Sequence, residues 1–194
     1  MNSNRTKVDA DYQRVSEGNP PRTAYALGAV VCAALLAFGY YLQHARGLEP
    51  CPLCLVQRGF FYAVLIVFGL AALHAPGRIG AALYCLLGFL FAVGGTATAA
   101  RQVWLQHLPA DKVPQCGPDL FFMLENFPLG QALKKLFMGS GECAAVDWTF
   151  LGLSIAGWSL VWFIALGVYA LWLALRVLAS RIPPAGPKAV FPAG

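Results

Sequence analysis

Charged residues are scarce in this chain: they make up only 12% of its 194 residues, whereas apolar residues make up 58%. This balance is typical of membrane proteins and argues against a soluble globular domain. The formal net charge is +5. The basic residues are scattered or stand beside apolar runs, so membrane topology explains them and no nucleic acid partner is expected.

A secretory leader is not expected either, because residues 1–22 carry mixed charges and contain no apolar stretch. No internal repeat is evident. The long apolar runs contain no carboxylate, and no histidine lies deep within one of them. A chain that carries ions or metals through a bilayer needs such groups along a polar pathway, so this absence argues against a transport role.

Four apolar runs are long enough to cross a bilayer, which takes about 20 helical residues. The predicted spans lie near residues 24–42, 55–75, 79–100 and 149–175. The expected fold class is therefore an all-α membrane protein, a four-transmembrane-helix bundle. The boundaries predicted from the sequence are an N-terminal tail at 1–22, a transmembrane redox domain at 23–176 and a C-terminal tail at 177–194.

The second loop on the outer side, residues 106–147, is the only sizeable segment that looks soluble. Within it, Leu120–Leu124 and Leu129–Phe137 are apolar with interspersed charge. We expect short helices lying in the membrane interface there, with a loop folded on itself as the alternative.

Lysine and arginine are modestly more numerous on the side that holds both tails than on the opposite side. The positive-inside rule then predicts that both termini are cytoplasmic. Four of the six cysteines would face outward, namely Cys51, Cys54, Cys116 and Cys143. The remaining two, Cys32 and Cys85, fall inside spans, where free cysteine behaves as a small apolar residue.

The sequence Cys51-Pro52-Leu53-Cys54 stands at the head of the second span. A disulfide within it would close too small a loop to stabilise much, and a zinc site would need Cys116, Cys143 and His107 to converge. A redox dithiol needs only the two thiols, one of them with a lowered pKa. Proline suits the first turn of a helix, which would place Cys54 where the helix dipole stabilises a thiolate. We therefore favour redox chemistry.

Arg58 lies one turn beyond Cys54 on the same predicted helix face. An arginine at the mouth of a span is costly without a partner, so it is a candidate functional residue; the alternative is an anchor that reaches the headgroups. Cys116 and Cys143 are far apart in sequence and flanked by glycines. Alone they would form a structural loop disulfide, but beside an exposed C-x-x-C they could pass electrons by thiol–disulfide exchange, which we favour.

Taken together, these residues resemble the bacterial disulfide bond formation protein B (DsbB) family over nearly the whole chain. The matching elements are the four spans, Cys51-x-x-Cys54 with Gln57 and Arg58, the loop cysteines and the run Trp148–Leu153. In bacteria, a protein of this family, a thioredoxin-like donor and quinone together keep the periplasm oxidising.

The resemblance implies a protein-disulfide:quinone oxidoreductase of the bacterial inner membrane. It would reoxidise a periplasmic thioredoxin-like oxidase of the DsbA type and pass electrons to the membrane quinone pool, ubiquinone or menaquinone. Cys116 would form the mixed disulfide with the donor, and Cys143 would then exchange with Cys51, which frees Cys54. Cys54 would pass the electrons on at a quinone site held by Arg58, where Gln57 either lines that site or satisfies a helix-end carbonyl.

His107 stands before the loop cysteine as a family histidine does, but the stretch from His107 to Cys116 is short, which favours a solvated loop histidine. Two alternatives to the central hypothesis remain. One is a vitamin K epoxide reductase-like enzyme, although its redox motif usually lies in a later span. The other is a metal-binding or transport membrane protein that uses the outer thiols as ligands.

Overall fold

The computed structural model describes residues 20–112, 128, 130–131, 141–146 and 148–179. Its long helices are α1 (Arg22–Arg46), α2 (Pro52–His74), α3 (Arg78–Gln106) and α5 (Ile155–Ala179). Between α3 and α5 lie a 3₁₀ turn (Ala110–Lys112), the short helix α4 (Gly141–Ala144) and a two-stranded antiparallel hairpin, β1 (Thr149–Phe150) and β2 (Leu153–Ser154).

All four long helices are long and apolar enough to cross a membrane. The predicted four-helix membrane bundle is thus confirmed. The interfacial helix expected at Leu120–Leu124 lies outside the described residues, as does the one expected at Leu129–Phe137 except for residues 130–131, and so do most of both predicted tails.

Residues at the helix ends explain where each span stops. Gly47 ends α1 with a left-handed backbone at φ 63°, a conformation that glycine adopts without steric penalty. Ala75 ends α2 in the same region at φ 44°, and Pro76 and Gly77 follow it. Arg78 then begins α3 and donates to the carbonyl oxygens of Val177 and Leu178 in the last turn of α5. This arginine therefore satisfies helix-end carbonyls of α5 on the side that holds the short turn between α2 and α3.

The fourth long helix begins at Ile155, whereas the sequence predicted a span from about residue 149. Leu151 and Gly152 both have positive φ, at 51° and 80°, which is the backbone of a two-residue hairpin turn. Ser154 then caps α5, because its hydroxyl accepts from the Gly157 amide at 3.2 Å and donates to Gln106 Oε1 of α3 at 2.7 Å. The hydrogen bond from Ser154 to Gln106 of α3 thus fixes where the last helix begins.

Small residues allow the helices to approach closely. The Phe68 ring of α2 lies against Gly28 of α1 and Gly88 of α3, and a Cβ at either glycine would collide with it. In the same core the rings of Phe61 and Phe163 stack with centroids 4.0 Å apart. Close approach at small residues is how membrane helices gain packing energy, since lipid offers no hydrophobic driving force between them.

The two ends of the bundle differ: a hydrogen bond joins α1 and α5 near one end, and a cavity lies at the other. Helix α3 packs extensively against both α2 and α5, and α1 packs against α2. Near the start of α1, the Tyr169 hydroxyl of α5 donates to the Ala24 carbonyl at 2.8 Å. At the opposite end, residues of α1, of the first turn of α2 and of α5 line a cavity.

Candidate active site

The first turn of α2 carries the C-x-x-C pair. Cys51 is the N-cap residue and Pro52 opens the helix, as the sequence predicted. The Cys51 sulfur accepts from the Cys54 amide at 3.4 Å and donates to the Cys54 sulfur at 2.9 Å. Both thiols therefore sit at the positive end of a helix dipole, where negative charge on sulfur is stabilised.

Cys143 reaches the same place from the loop between α3 and α5. It lies in the short helix α4, is fully buried and packs with Cys51, Leu53 and Leu105. Its thiol is within hydrogen-bonding distance of the Cys51 sulfur. The hydrogen bond to Cys143, then that to Cys54, and burial together raise the pKa of Cys51 well above that of an ordinary thiol. Cys51 is therefore held protonated between two other thiols.

Of the remaining three cysteines, Cys116 lies outside the described residues. Cys32 and Cys85 belong to the central core of the bundle rather than to the thiol cluster, and Cys85 lies 3.8 Å from the Tyr25 hydroxyl. Packing accounts for both of these buried thiols.

Behind the thiols stand two buried amides from different helices. Gln57 of α2 is 3% exposed and donates through Nε2 to Oε1 of Gln102 of α3 at 2.6 Å. The Gln102 Nε2 in turn lies 3.3 Å from the Cys51 sulfur and 3.2 Å from the Cys54 sulfur. Sequence reasoning named Gln57 but missed Gln102. An uncharged amide near the end of an apolar span was the only signal for it.

Arg58 is held by neutral groups of α1. Its Nη1 donates to Gln43 Oε1 at 2.6 Å and its Nη2 to the Gly39 carbonyl at 3.2 Å, while the guanidinium carbon lies 4.8 Å from the Tyr40 ring centroid. Because both hydrogen-bond acceptors are uncharged, they orient the guanidinium without cancelling its positive charge. Among the residues that the structure describes, both hydrogen bonds of Arg58 thus go to neutral groups rather than to a carboxylate.

A cavity of about 520 Å³ joins these groups. Its polar lining includes Cys51, Cys54, Gln57, Arg58 and Gln102, together with the carboxylates Glu49 and Glu142. Apolar and aromatic side chains form much of the remaining wall, among them Leu35, Leu36, Phe38, Phe61, Trp148, Phe150, Trp158 and Trp162. A mostly apolar cleft with a few convergent polar groups is the usual form of a small-molecule site. Its lining fits an apolar small molecule that carries a few polar atoms.

His107 is not part of this cavity. It follows the last residue of α3, and its Nδ1 lies 2.8 Å from the Val103 carbonyl oxygen at an exposed position. The local contact agrees with a solvated histidine at a helix end. Among the residues that the structure describes, no group of three or more histidine, cysteine or carboxylate side chains is arranged to hold a metal ion.

Comparison with known proteins bears directly on this arrangement. The family model described as "Disulfide bond formation protein DsbB" matches residues 21–173. The chain is 52% identical over 150 residues to disulfide bond formation protein B of Methylococcus capsulatus, covering 77% of this chain and 92% of the relative. It is also 52% identical over 151 residues to the protein of that name from Hahella chejuensis, covering 78% and 90%.

The cysteine cluster and the membrane bundle are consistent with these matches, which cover most of the chain. The chain belongs to the DsbB family of disulfide bond formation proteins, which confirms the resemblance found in the sequence. It is a multi-pass membrane protein whose family role is disulfide bond formation. Among the hypotheses weighed from the sequence, the vitamin K epoxide reductase-like alternative gains no support from these matches.

Proposed function

We propose that this chain is a protein-disulfide:quinone oxidoreductase of the bacterial inner membrane. It reoxidises a periplasmic thioredoxin-like disulfide donor of the DsbA type and passes the electrons through two cysteine pairs to a membrane quinone. The observation that carries this proposal is the convergence of three thiols beside one largely apolar cavity. Cys143 meets Cys51, and Cys51 and Cys54 line the cavity together with Arg58.

Electrons enter at the loop pair. A thiolate of the reduced donor attacks Cys116 of the Cys116–Cys143 disulfide, which forms a mixed disulfide and releases Cys143 as a thiolate. The contact between Cys143 and Cys51 supports the next exchange. In it, Cys143 attacks Cys51 of the Cys51–Cys54 disulfide and releases Cys54 as a thiolate. The second thiol of the donor then breaks the mixed disulfide and releases Cys116, which attacks Cys143 of the Cys143–Cys51 disulfide and frees Cys51. Cys51 and Cys54 re-form their disulfide when two electrons and two protons pass to the acceptor. Over one cycle the donor therefore loses two electrons and two protons, and both disulfides of the chain are restored.

Quinone supplies the acceptor for those two electrons and two protons when it is bound. The protein's contribution is to hold the sulfur and the cation at one end of the cavity. The helix dipole at the start of α2 and the amide of Gln102 stabilise negative charge on Cys54. Arg58, oriented by Gln43 and Gly39, faces the same cavity with its charge available for negative charge that develops on a ligand oxygen.

The orientation in the membrane belongs to the same proposal. Both termini are cytoplasmic, so the thiol end of the bundle faces the periplasm, where disulfides persist. Residues of α1 and α5 line the cavity, among them the aromatic side chains of Phe38 and Trp158. Aromatic side chains are favoured at the membrane interface, and a quinone dissolved in the bilayer could enter from that side.

Purified protein tests this function directly. With quinone present it should oxidise a reduced thioredoxin-like donor catalytically, with one quinol formed for each donor disulfide. Cys54→Ser should abolish turnover, because the sulfur next to the cavity is removed. The matched control is Cys32→Ala, which removes a core thiol and should retain turnover. Full activity of Cys54→Ser would overturn the proposal.

A further inference from the structure

The amide of Gln102 lies within hydrogen-bonding distance of both sulfurs of the C-x-x-C pair. Its Nε2 is 3.3 Å from the Cys51 sulfur and 3.2 Å from the Cys54 sulfur, and the side chain is 4% exposed. One neutral donor group thus bridges both ends of the dithiol. Leu53 and Leu105 beside the thiols are fully buried, so part of the environment of the sulfurs is apolar.

The orientation of that amide is fixed from behind. Gln57 Nε2 donates to Gln102 Oε1 at 2.6 Å, and the same oxygen lies 3.6 Å from the Cys54 sulfur. The nitrogen of Gln102 lies nearer to that sulfur, at 3.2 Å, while its oxygen is engaged by Gln57. Without Gln57 the amide could turn over and present oxygen to the sulfurs instead. Because Gln57 is on α2 and Gln102 on α3, the packing of these two helices sets the position of the donor relative to the C-x-x-C turn.

We propose that Gln102 adjusts the reduction potential of the Cys51–Cys54 pair by donating hydrogen bonds to its sulfurs, with Gln57 holding the amide in the donating orientation. This inference rests on the proposed function for its purpose. When two electrons enter the pair, the sulfur–sulfur bond breaks, Cys51 retains a proton and Cys54 carries the negative charge. In the function above, the electrons come from the thiols of the reduced donor.

The physical reason is a difference in acceptor strength. Sulfur in a disulfide accepts hydrogen bonds weakly, whereas a thiolate accepts them strongly because it is charged. The Gln102 donor therefore stabilises the reduced pair more than the disulfide, which raises the reduction potential and helps the pair to take electrons from Cys143. An amide stays neutral in both states, so it adds no fixed charge beside the quinone cavity.

The test is the reduction potential of the Cys51–Cys54 pair, measured without quinone or donor. The full-length protein is equilibrated in dithiol–disulfide buffers, alkylated and mapped by mass spectrometry, so that this pair is scored separately from the loop cysteines. In Gln102→Leu the equilibrium should move toward the disulfide by roughly tenfold, since a hydrogen bond to a charged group is lost. For this two-electron couple tenfold corresponds to about 30 mV.

Two further variants separate the donor effect from general disturbance. Thr98→Val, one turn earlier on α3, also removes a fully buried polar group and should leave the potential unchanged. Gln57→Leu keeps the Gln102 donor but removes its orienting partner. It should lower the potential by less than Gln102→Leu does, and it supplies the measurement if Gln102→Leu fails to fold. An unchanged potential in both glutamine variants would overturn the inference.

The outcome is distinguishable from that of the proposed function. If the unchanged protein turns over quinone and Gln102→Leu keeps the original potential, the role of Gln102 is wrong and the function stands. If Gln102→Leu shifts the potential but the unchanged protein does not reduce quinone, the function is wrong and the role of Gln102 stands. Failure of the Cys51–Cys54 disulfide to form in any buffer would overturn both.

Discussion

Arg58 of α2 donates a 2.6 Å hydrogen bond to Gln43 of α1, so the cation beside the cavity is oriented by a helix other than its own. The Gly39 carbonyl, one turn earlier on α1, accepts a second bond at 3.2 Å. Helix α1 carries no cysteine of the thiol cluster. Its contribution to the site is to form one wall of the cavity and to hold this guanidinium.

That relationship predicts how quinone dependence responds to substitution. Arg58→Ala should raise the apparent KM for quinone by about tenfold or more, since a charge-assisted contact contributes about 1.5–3 kcal/mol. Gln43→Leu leaves the charge but removes its orienting partner, so a smaller rise is expected. Steady-state quinone reduction at saturating donor measures both effects.

Arg101→Ala is the matched control, because Arg101 lies on α3 over the Trp104 ring rather than among the cavity residues. Its KM for quinone should stay near that of the unchanged protein. Equal effects of Arg58→Ala and Arg101→Ala would mean that only the general charge near this end of the bundle matters.

The raised pKa of Cys51 predicts an unusual response to pH in the reduced protein. Alkylation requires the thiolate, so the rate at Cys51 should remain low as the pH rises past about 8.5, where an ordinary thiol ionises. Because the folded-state pKa lies above the unfolded one, the associated stabilisation is complete below that pH and is lost as the pH rises further. Peptide mapping after timed alkylation measures the midpoint.

Cys143→Ala provides the comparison, because the hydrogen bond with Cys143 is the largest cause of the shift. In this variant the alkylation midpoint of Cys51 should move toward lower pH. If the midpoint is the same with and without the Cys143 thiol, the two residues are not in contact in the reduced protein.

Close packing at Gly95 predicts a stability effect. A Cβ at this position would collide with the Phe163 ring, which stacks on Phe61 in the core. Gly95→Ala should therefore destabilise the bundle by about 1–3 kcal/mol, the usual range for overpacking. The control is Gly69→Ala on α2, where a Cβ meets no neighbouring atom and helix propensity favours alanine by about 1 kcal/mol. Thermal unfolding in detergent should move in opposite directions for the two variants.

Membrane orientation has its own test at the loop cysteine. After mild reduction, a membrane-impermeant thiol reagent should label Cys116 in intact cells, because the proposed topology puts the loop outside the cytoplasm. A Cys116→Ser chain provides the background. Labelling that requires lysis of the cells would reverse the orientation and, with it, the compartment in which the donor is met.

The sequence by itself determined the architecture and the family. Twenty-residue apolar runs can satisfy their backbone hydrogen bonds in lipid only as helices, so four spans followed from composition and length. Pro52 and the spacing of Cys51 and Cys54 were enough to place the dithiol in the first turn of a helix, because capping and the helix dipole are local effects. Arg58 followed from the cost of a charge at the mouth of a span.

Tertiary structure decided what surrounds those local features. Cys143 stands 92 residues beyond Cys51 in the sequence, and only the folding of the loop onto the bundle brings the two thiols together. Gln102 looked like an ordinary polar residue near a helix end until the packing of α3 against α2 put its amide between two sulfurs and Gln57. The sequence did not indicate the partners of Arg58 on α1 either. Helical periodicity shows which residues share one face of a helix, but not which neighbouring helix that face contacts.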